Sequence, residues 1–181
     1  MHFQRNPNKP IRGVSGSFDT IKLDFSAGPP LREQEKYKHK ANYPTTLAKI
    51  HVLLNGKDAA QQVPSGHVHF ILISLLHGVP LLLQGKSITA DWVSDPWQFD
   101  VHGYPNRNRV AITLHVPEQW VAMSDVNVPL DQFGQEIIKL GQRWRKYLEQ
   151  TYEAEVHRDG FNQQYINFVG YLNTAIKSLS E

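Results

Sequence analysis

The sequence lacks cysteine and any hydrophobic run long enough to cross a bilayer. Without cysteine there can be no disulfide scaffold, no thiolate zinc site, no iron–sulfur cluster and no thiol nucleophile. The longest apolar stretch, residues 70–83, is interrupted by Ser74, His77, Gly78 and Pro80, whereas a spanning helix needs about 20 apolar residues. The N-terminus is polar and has no signal-peptide core, so we expect no membrane partner and a cytoplasmic location.

The net charge of the chain is also small. Lys and Arg number 19 and Asp and Glu 17, which leaves +2 with histidine neutral. Residues 1–60 hold ten of the basic and five of the acidic side chains, and this basic third favours an acidic partner. The charge of the whole chain lies well below that of a typical nucleic-acid-binding domain, so nucleic acid is possible as a partner but not favoured.

The length of the chain suits one domain. A chain of 181 residues falls within the usual range of about 100–200 for a domain. We therefore predict a single domain over residues 1–181, with a long polar loop at about 26–46. Pro29, Pro30 and Pro44 interrupt this segment, and a loop of such length is often functional.

A β-hairpin over residues 97–116 is the clearest element of the sequence. Apolar and polar residues alternate on both sides of a turn at Asn106-Arg107, and such alternation fixes the register of the two strands. With Pro105 opposite Asn108, one face is apolar throughout, and it holds Trp97, Phe99, Val101, Val110, Ile112, Leu114 and Val116.

Other segments carry weaker strand signals. Residues 67–74 are rich in apolar and β-branched side chains and are predicted as a strand, with a buried helix capped by Ser65 and ending at Gly78 as the alternative. The remaining predicted strands cover residues 18–25, 47–54, 79–83 and 87–93.

The C-terminal third changes to a helical period. Apolar residues at spacings of three and four follow Pro129 and predict one helix, and a second stripe predicts another over about 160–179. The short polar connection between them favours an antiparallel pair. The sequence therefore predicts an α+β fold, an antiparallel β-sheet of about six to eight strands followed by two C-terminal antiparallel helices packed on one face.

His67 and His69 are the strongest metal-ligand candidates. Residues two apart on a strand point to the same face, so both imidazoles could reach one divalent metal, as in β-barrel sites of the cupin kind. His102 and His115 share a face of the hairpin, but the predicted register separates them by about 13 Å, at about 3.3 Å per residue. We therefore expect no cofactor, with a divalent metal at His67 and His69 as the alternative.

Local motifs for nucleophilic or phosphate-binding chemistry are incomplete. The segment around Ser15 lacks the last glycine of a G-x-S-x-G motif. Lys86-Ser87 resembles the end of a P-loop, but Pro80 stands where that motif needs its first glycine. A Ser-His-Asp triad assembled from distant residues stays open, although nothing local indicates one. Whether the protein is an enzyme is uncertain, and the sequence leans toward no.

The remaining features favour a protein-binding role without catalysis. An exposed hairpin tip and a long charged loop suit a small interaction or inhibitory protein, and antitoxin and toxin-immunity proteins have this general form. Tyrosine and arginine commonly carry interface binding energy. The predicted contact residues are Tyr104, Arg107, Asn108 and Arg109 at the tip and Tyr37 in the loop. A metal-binding protein and a nucleic-acid accessory protein are the alternatives.

Overall fold

The structure, a computed structural model, describes residues 13–28, 44, 46–93 and 95–181. The elements follow the chain as β1 (Val14–Ser17), β2 (Ile21–Ala27), β3 (Ala48–Leu54), β4 (Lys57–Asp58), α1 (Val68–Leu83), β5 (Ser87–Asp91), β6 (Gln98–Tyr104), β7 (Arg109–Val116), β8 (Trp120–Pro129), α2 (Leu130–Thr151) and α3 (Asp159–Ser180).

Two sheets make up the β part of the fold. One has five strands in the order β1-β8-β7-β6-β5, and the other has three in the order β2-β3-β4. Strand β1 pairs in parallel with β8, so the larger sheet is mixed rather than purely antiparallel as predicted. The α+β class, with two helices at the C-terminus, is confirmed.

The predicted hairpin is present with its predicted register. Gln98 lies opposite His115, and Tyr104 lies opposite Arg109, on the two sides of a short 3₁₀ turn at Pro105–Arg107. Along β6 and β7 buried residues alternate with partly exposed ones. The large sheet therefore has an apolar inner face and a polar outer face, as the alternation predicted.

Helices α1 and α2 cover the inner face of the large sheet. Helix α1 contacts β5 and β6, while α2 contacts β7, β8 and also β2 of the small sheet. The rings of Phe99 on β6 and Phe133 on α2 stack with their centroids 6.3 Å apart. Because α2 contacts both sheets, the core beneath them is continuous.

The strand predictions at residues 67–74 and 79–83 are wrong, because both segments belong to helix α1. No residue from Val68 to Leu83 is charged, and most of them are buried. The partly exposed side of the helix also carries the apolar residues Phe70, Ile73 and Leu81, so the 3.6-residue period is weak and periodicity cannot separate the helix from a buried strand. The helix continues past Gly78, where the absence of a side chain lets Ile88 of β5 approach closely.

Helices α2 and α3 form the predicted antiparallel pair. Gly134 near the start of α2 lies against Leu179 near the end of α3, and Gly141 lies against Leu172. Helix α3 packs mainly on α1 and α2. The prediction that both helices pack on one sheet face therefore holds for α2, whereas α3 forms a further layer over the two other helices.

The predicted loop at 26–46 begins later than expected. Ser26 and Ala27 belong to β2, where they pair with Lys49 and Ala48 of β3. Residues 29–43, which include Tyr37, lie outside the described residues, so the loop prediction is not tested there. Among the described helices, none combines the length and apolar character of a bilayer span.

Replacing Gly103 by alanine should destabilise the fold. A Cβ at this position of β6 would lie 2.1 Å from the backbone oxygen of Leu82, at the end of α1. Backbone atoms cannot rotate away, so we expect Gly103→Ala to lower the free energy of unfolding by about 2 kcal/mol or more, measured by urea denaturation. Gly170→Ala is the control, because open space surrounds Gly170 on α3 and alanine should stabilise this helix by about 0.5–1 kcal/mol. Equal stability of Gly103→Ala and wild type would contradict this packing.

Candidate functional site

His67 and His69 lie at the start of helix α1, not on the strand that the metal interpretation assumes. His67 is the N-cap of α1, and His69 lies in its first turn. The same-face alternation of a strand, on which the pairing of the two imidazoles was based, therefore does not apply here. Within the described part of the chain, no group of three or more His, Cys, Asp or Glu side chains is placed to hold a metal ion.

His69 is instead part of the helical core. The indole N–H of Trp144 on α2 donates to its Nδ1 at 3.1 Å, and the ring of Phe168 on α3 lies 5.5 Å away between centroids. Burial lowers the pKa of His69 to about 4, so the imidazole is neutral at pH 7. Because Nδ1 accepts a hydrogen bond, the proton of the neutral ring is on Nε2, which is buried and has no hydrogen-bond partner.

The predicted contact residues at the hairpin tip have different surroundings. Tyr104 is 41% exposed and meets the ring of His102 edge-on, and Arg107 is also exposed. Asn108 instead supports the start of α2: its amide donates to Asp131, and its side-chain oxygen accepts the Asp131 N–H. Arg109 donates to the backbone oxygen of Phe18 at 3.2 Å. Two of the four tip residues therefore anchor the turn to the rest of the fold.

The outer face of the large sheet holds hydrogen-bonded histidines. His115 Nε2 is 2.7 Å from Asp100 Oδ2, and Thr89 donates to the other oxygen of that carboxylate. His102 Nδ1 is 2.7 Å from Ser87 Oγ on the neighbouring strand. Each imidazole thus has its own partner, in agreement with the predicted separation of His102 from His115.

The small sheet brings together a serine, a histidine and an aspartate that sequence reasoning did not connect. Ser26 Oγ on β2 is 2.8 Å from His51 Nε2 on β3, and His51 Nδ1 is 2.8 Å from Asp58 Oδ2 on β4. The strand pairing explains the grouping, because Asp24 lies opposite His51 and Ser26 follows two residues later on the same face. The sequence signal was the Asn55-Gly56 turn, which returns the chain from His51 to Asp58.

Asp58 is held in place by the backbone around the turn. Its Oδ1 accepts the N–H groups of Val52 at 3.2 Å and Ala60 at 2.9 Å. Burial by itself would raise the pKa of Asp58, but the hydrogen bond with His51 and the two backbone N–H groups outweigh it and lower the pKa. The carboxylate is therefore ionised at neutral pH and fixed in orientation.

A basic groove lies between the edge of β2 and helix α2. Arg143 donates to the backbone oxygen of Leu23 and to the carboxylate of Asp24, while Glu136 accepts the Leu23 N–H and pairs with a lysine. These side chains form hydrogen bonds with backbone groups that an edge strand would otherwise leave unpaired. The groove has a volume of about 650 Å³ and is lined by Lys22, Glu136, Lys139, Gln142, Arg143 and Lys146.

No protein-family model matches this sequence, and the comparisons with curated proteins and with solved structures found no match.

Acidification should destabilise the folded protein through the buried His69. The pKa of His69 is about 4 in the folded protein against 6.5 ordinarily, so between these values the unfolded chain binds more protons. Its contribution to the free energy of unfolding is fully present above about pH 6.5 and is lost as the pH falls through 4, by about 3 kcal/mol in total at 1.36 kcal/mol per pKa unit. In urea unfolding at pH 7.5 and pH 4.5, His69→Gln should show a smaller loss of stability than wild type. An unchanged pH dependence would contradict burial of a neutral imidazole.

Asn108→Ala should lower stability through the start of α2. The substitution removes both side-chain bonds to Asp131, and loss of a helix cap costs about 1 kcal/mol. Asn108 also has a positive φ of 47°, which alanine adopts less readily. Thermal unfolding should therefore show a lower Tm for Asn108→Ala and an unchanged Tm for Arg107→Ala. If neither variant loses stability, Asn108 does not act as a cap.

Proposed function

We propose that the protein binds another protein and that the basic groove receives an acidic segment of this partner. The supporting observation is the charge of the groove, in which four cationic side chains surround one carboxylate. Within the described part of the chain, no carboxylate forms an ion pair with Lys22 or Lys146. These two ammonium groups are available for carboxylates of a partner.

The chemistry of the groove favours side-chain recognition over the addition of a strand. The N–H and C=O of Leu23, which an added strand would need, are already bonded to Glu136 and Arg143. The N–H of Phe25, the next outward-facing group, is bonded to the carboxylate of Asp24. The partner is therefore expected to contribute carboxylates rather than a paired backbone.

Protein is favoured over nucleic acid as the partner. The residues lining the groove include no aromatic side chain on which a base could stack, and the carboxylate of Glu136 would repel phosphate. The net charge of +2 is also small for a protein that binds nucleic acid through its phosphates.

The hairpin tip is a second contact region in this proposal. Asn108 joins the tip to the start of α2, and Arg109 joins it to Phe18 just before β2. The tip is thus attached to α2 and to the segment that leads into β2. A typical protein–protein interface buries about 800 Å² per partner, and Tyr104 and Arg107 would supply exposed aromatic and guanidinium groups to it.

Charge reversal in the groove tests this function. We expect a fluorescent polyglutamate peptide to bind the wild-type protein in an anisotropy titration and to bind Lys22→Glu/Lys146→Glu at least about tenfold more weakly, equivalent to about 1.4 kcal/mol. The control is Lys86→Glu/Lys177→Glu, which changes the net charge equally at exposed positions outside the groove.

Two outcomes would contradict the proposal. Equal loss of affinity in the control would mean that only the overall charge matters. Tighter binding of a DNA or RNA oligonucleotide of equal charge, at the same salt concentration, would indicate a nucleic-acid partner instead.

A further inference from the structure

We propose that Ser26 is a nucleophile activated by His51, with Asp58 as the positioning residue, and that it accepts acyl groups from activated carboxylic esters. This inference is independent of the basic groove, because it depends on a different set of side chains on the small sheet. Its basis is the continuous chain of hydrogen bonds from Ser26 Oγ through the imidazole to the carboxylate.

The hydrogen bonds determine which imidazole nitrogen can act as a base. The ionised carboxylate of Asp58 can only accept, so His51 Nδ1 carries the proton and donates it over 2.8 Å. In the neutral imidazole Nε2 is then the acceptor, and the hydroxyl of Ser26 donates to it over 2.8 Å. This is the arrangement in which a histidine can take the proton of an attacking serine.

The three residues lie at the surface, where a substrate can reach Ser26, and not in the core. The side chain of Ser26 is exposed, while those of His51 and Asp58 are only 29% and 16% exposed. The nucleophile is thus open to solvent, and the base and the positioning carboxylate are sheltered behind it. An exposed serine favours small, reactive acyl donors over substrates that need a deep pocket.

The strand geometry also provides a backbone donor next to the nucleophile. Leu23 directs its N–H away from β3, toward Glu136, and alternate residues of an edge strand share this direction. Ala27 lies four residues further along β2 and so directs its N–H to the same side. The N–H that follows a nucleophilic serine is one of the donors that stabilise the oxyanion in α/β-hydrolases.

The reaction that follows balances without a further cofactor. Ser26 Oγ attacks the ester carbonyl carbon while its proton passes to His51 Nε2, and the bond to the leaving alkoxide or phenoxide then breaks as that group takes the proton. A water molecule, deprotonated by His51, attacks the acyl-serine and releases the carboxylic acid. Ester and water become acid and alcohol, and the hydroxyl of Ser26 is restored.

A second histidine–aspartate pair gives a matched comparison within the same chain. Asp100 and His115 are joined over 2.7 Å, but Thr89 donates to the carboxylate rather than to the imidazole. This pair therefore contains an imidazole and a carboxylate, but its hydroxyl group is not bonded to the imidazole and so is not activated by it. Substituting His115 should leave the chemistry of Ser26 unchanged.

The test uses the full chain with p-nitrophenyl acetate and with an alkyl fluorophosphonate, followed by peptide mass mapping. Both reagents should modify Ser26, and neither should modify that site in Ser26→Ala. General base catalysis typically contributes at least about a hundredfold, so His51→Ala should slow labelling by that factor. Asp58→Asn should also slow it, Asp58→Glu should restore part of the rate, and His115→Ala should match wild type.

Added imidazole separates a chemical role of His51 from a structural one. In His51→Gly, imidazole in solution should restore labelling of Ser26, whereas a merely misfolded variant would not respond. Circular dichroism and Tm measurements identify any variant that has lost its fold, and His51→Gln then replaces it. Labelling confined to lysines, or equal labelling of Ser26 in folded wild-type and His51 variants, would overturn the proposal.

Discussion

The burial of helix α1 is the constraint on which the rest of the structure depends. The helix has no Asp, Glu, Lys or Arg between Val68 and Leu83, and its buried side chains could be exposed to water only at a large cost in free energy. The large sheet, α2 and α3 together cover most of it. A hydrogen bond between His69 and Trp144 joins α1 to α2 inside the core, and burial keeps the imidazole uncharged at pH 7.

Helix α2 connects the two sheets and has a different chemistry on each side. Its apolar stripe, which includes Phe133 and Trp144, faces the core, while Glu136 and Arg143 bond to the backbone of β2. The groove lies at this contact, because the α2 side chains that bond to the backbone of the edge strand β2 are charged and also line the groove. Helix α2 therefore contributes both to the core and to the proposed binding groove.

Much of the fold could be predicted from the sequence, because strict alternation in the hairpin and apolar stripes in α2 and α3 each define a buried face. Helix α1 could not, since its partly exposed face is itself mostly apolar and differs little in sequence from its buried face. Strand β8 was missed where bulges around Leu114 shift its register with β7 and break a simple alternation. The grouping of Ser26, His51 and Asp58 required the pairing of strands separated by a long segment, and the role of Asn108 as a cap required the position of α2.

The bonds from α2 to the edge of β2 also affect how the protein behaves when it is partly unfolded. An edge strand with free N–H and C=O groups is a template for pairing with another chain. If α2 detaches, Glu136 and Arg143 leave with it, and Leu23 regains both unpaired groups. Resistance to aggregation therefore depends on the local stability of a helix, even though the vulnerable segment is a strand.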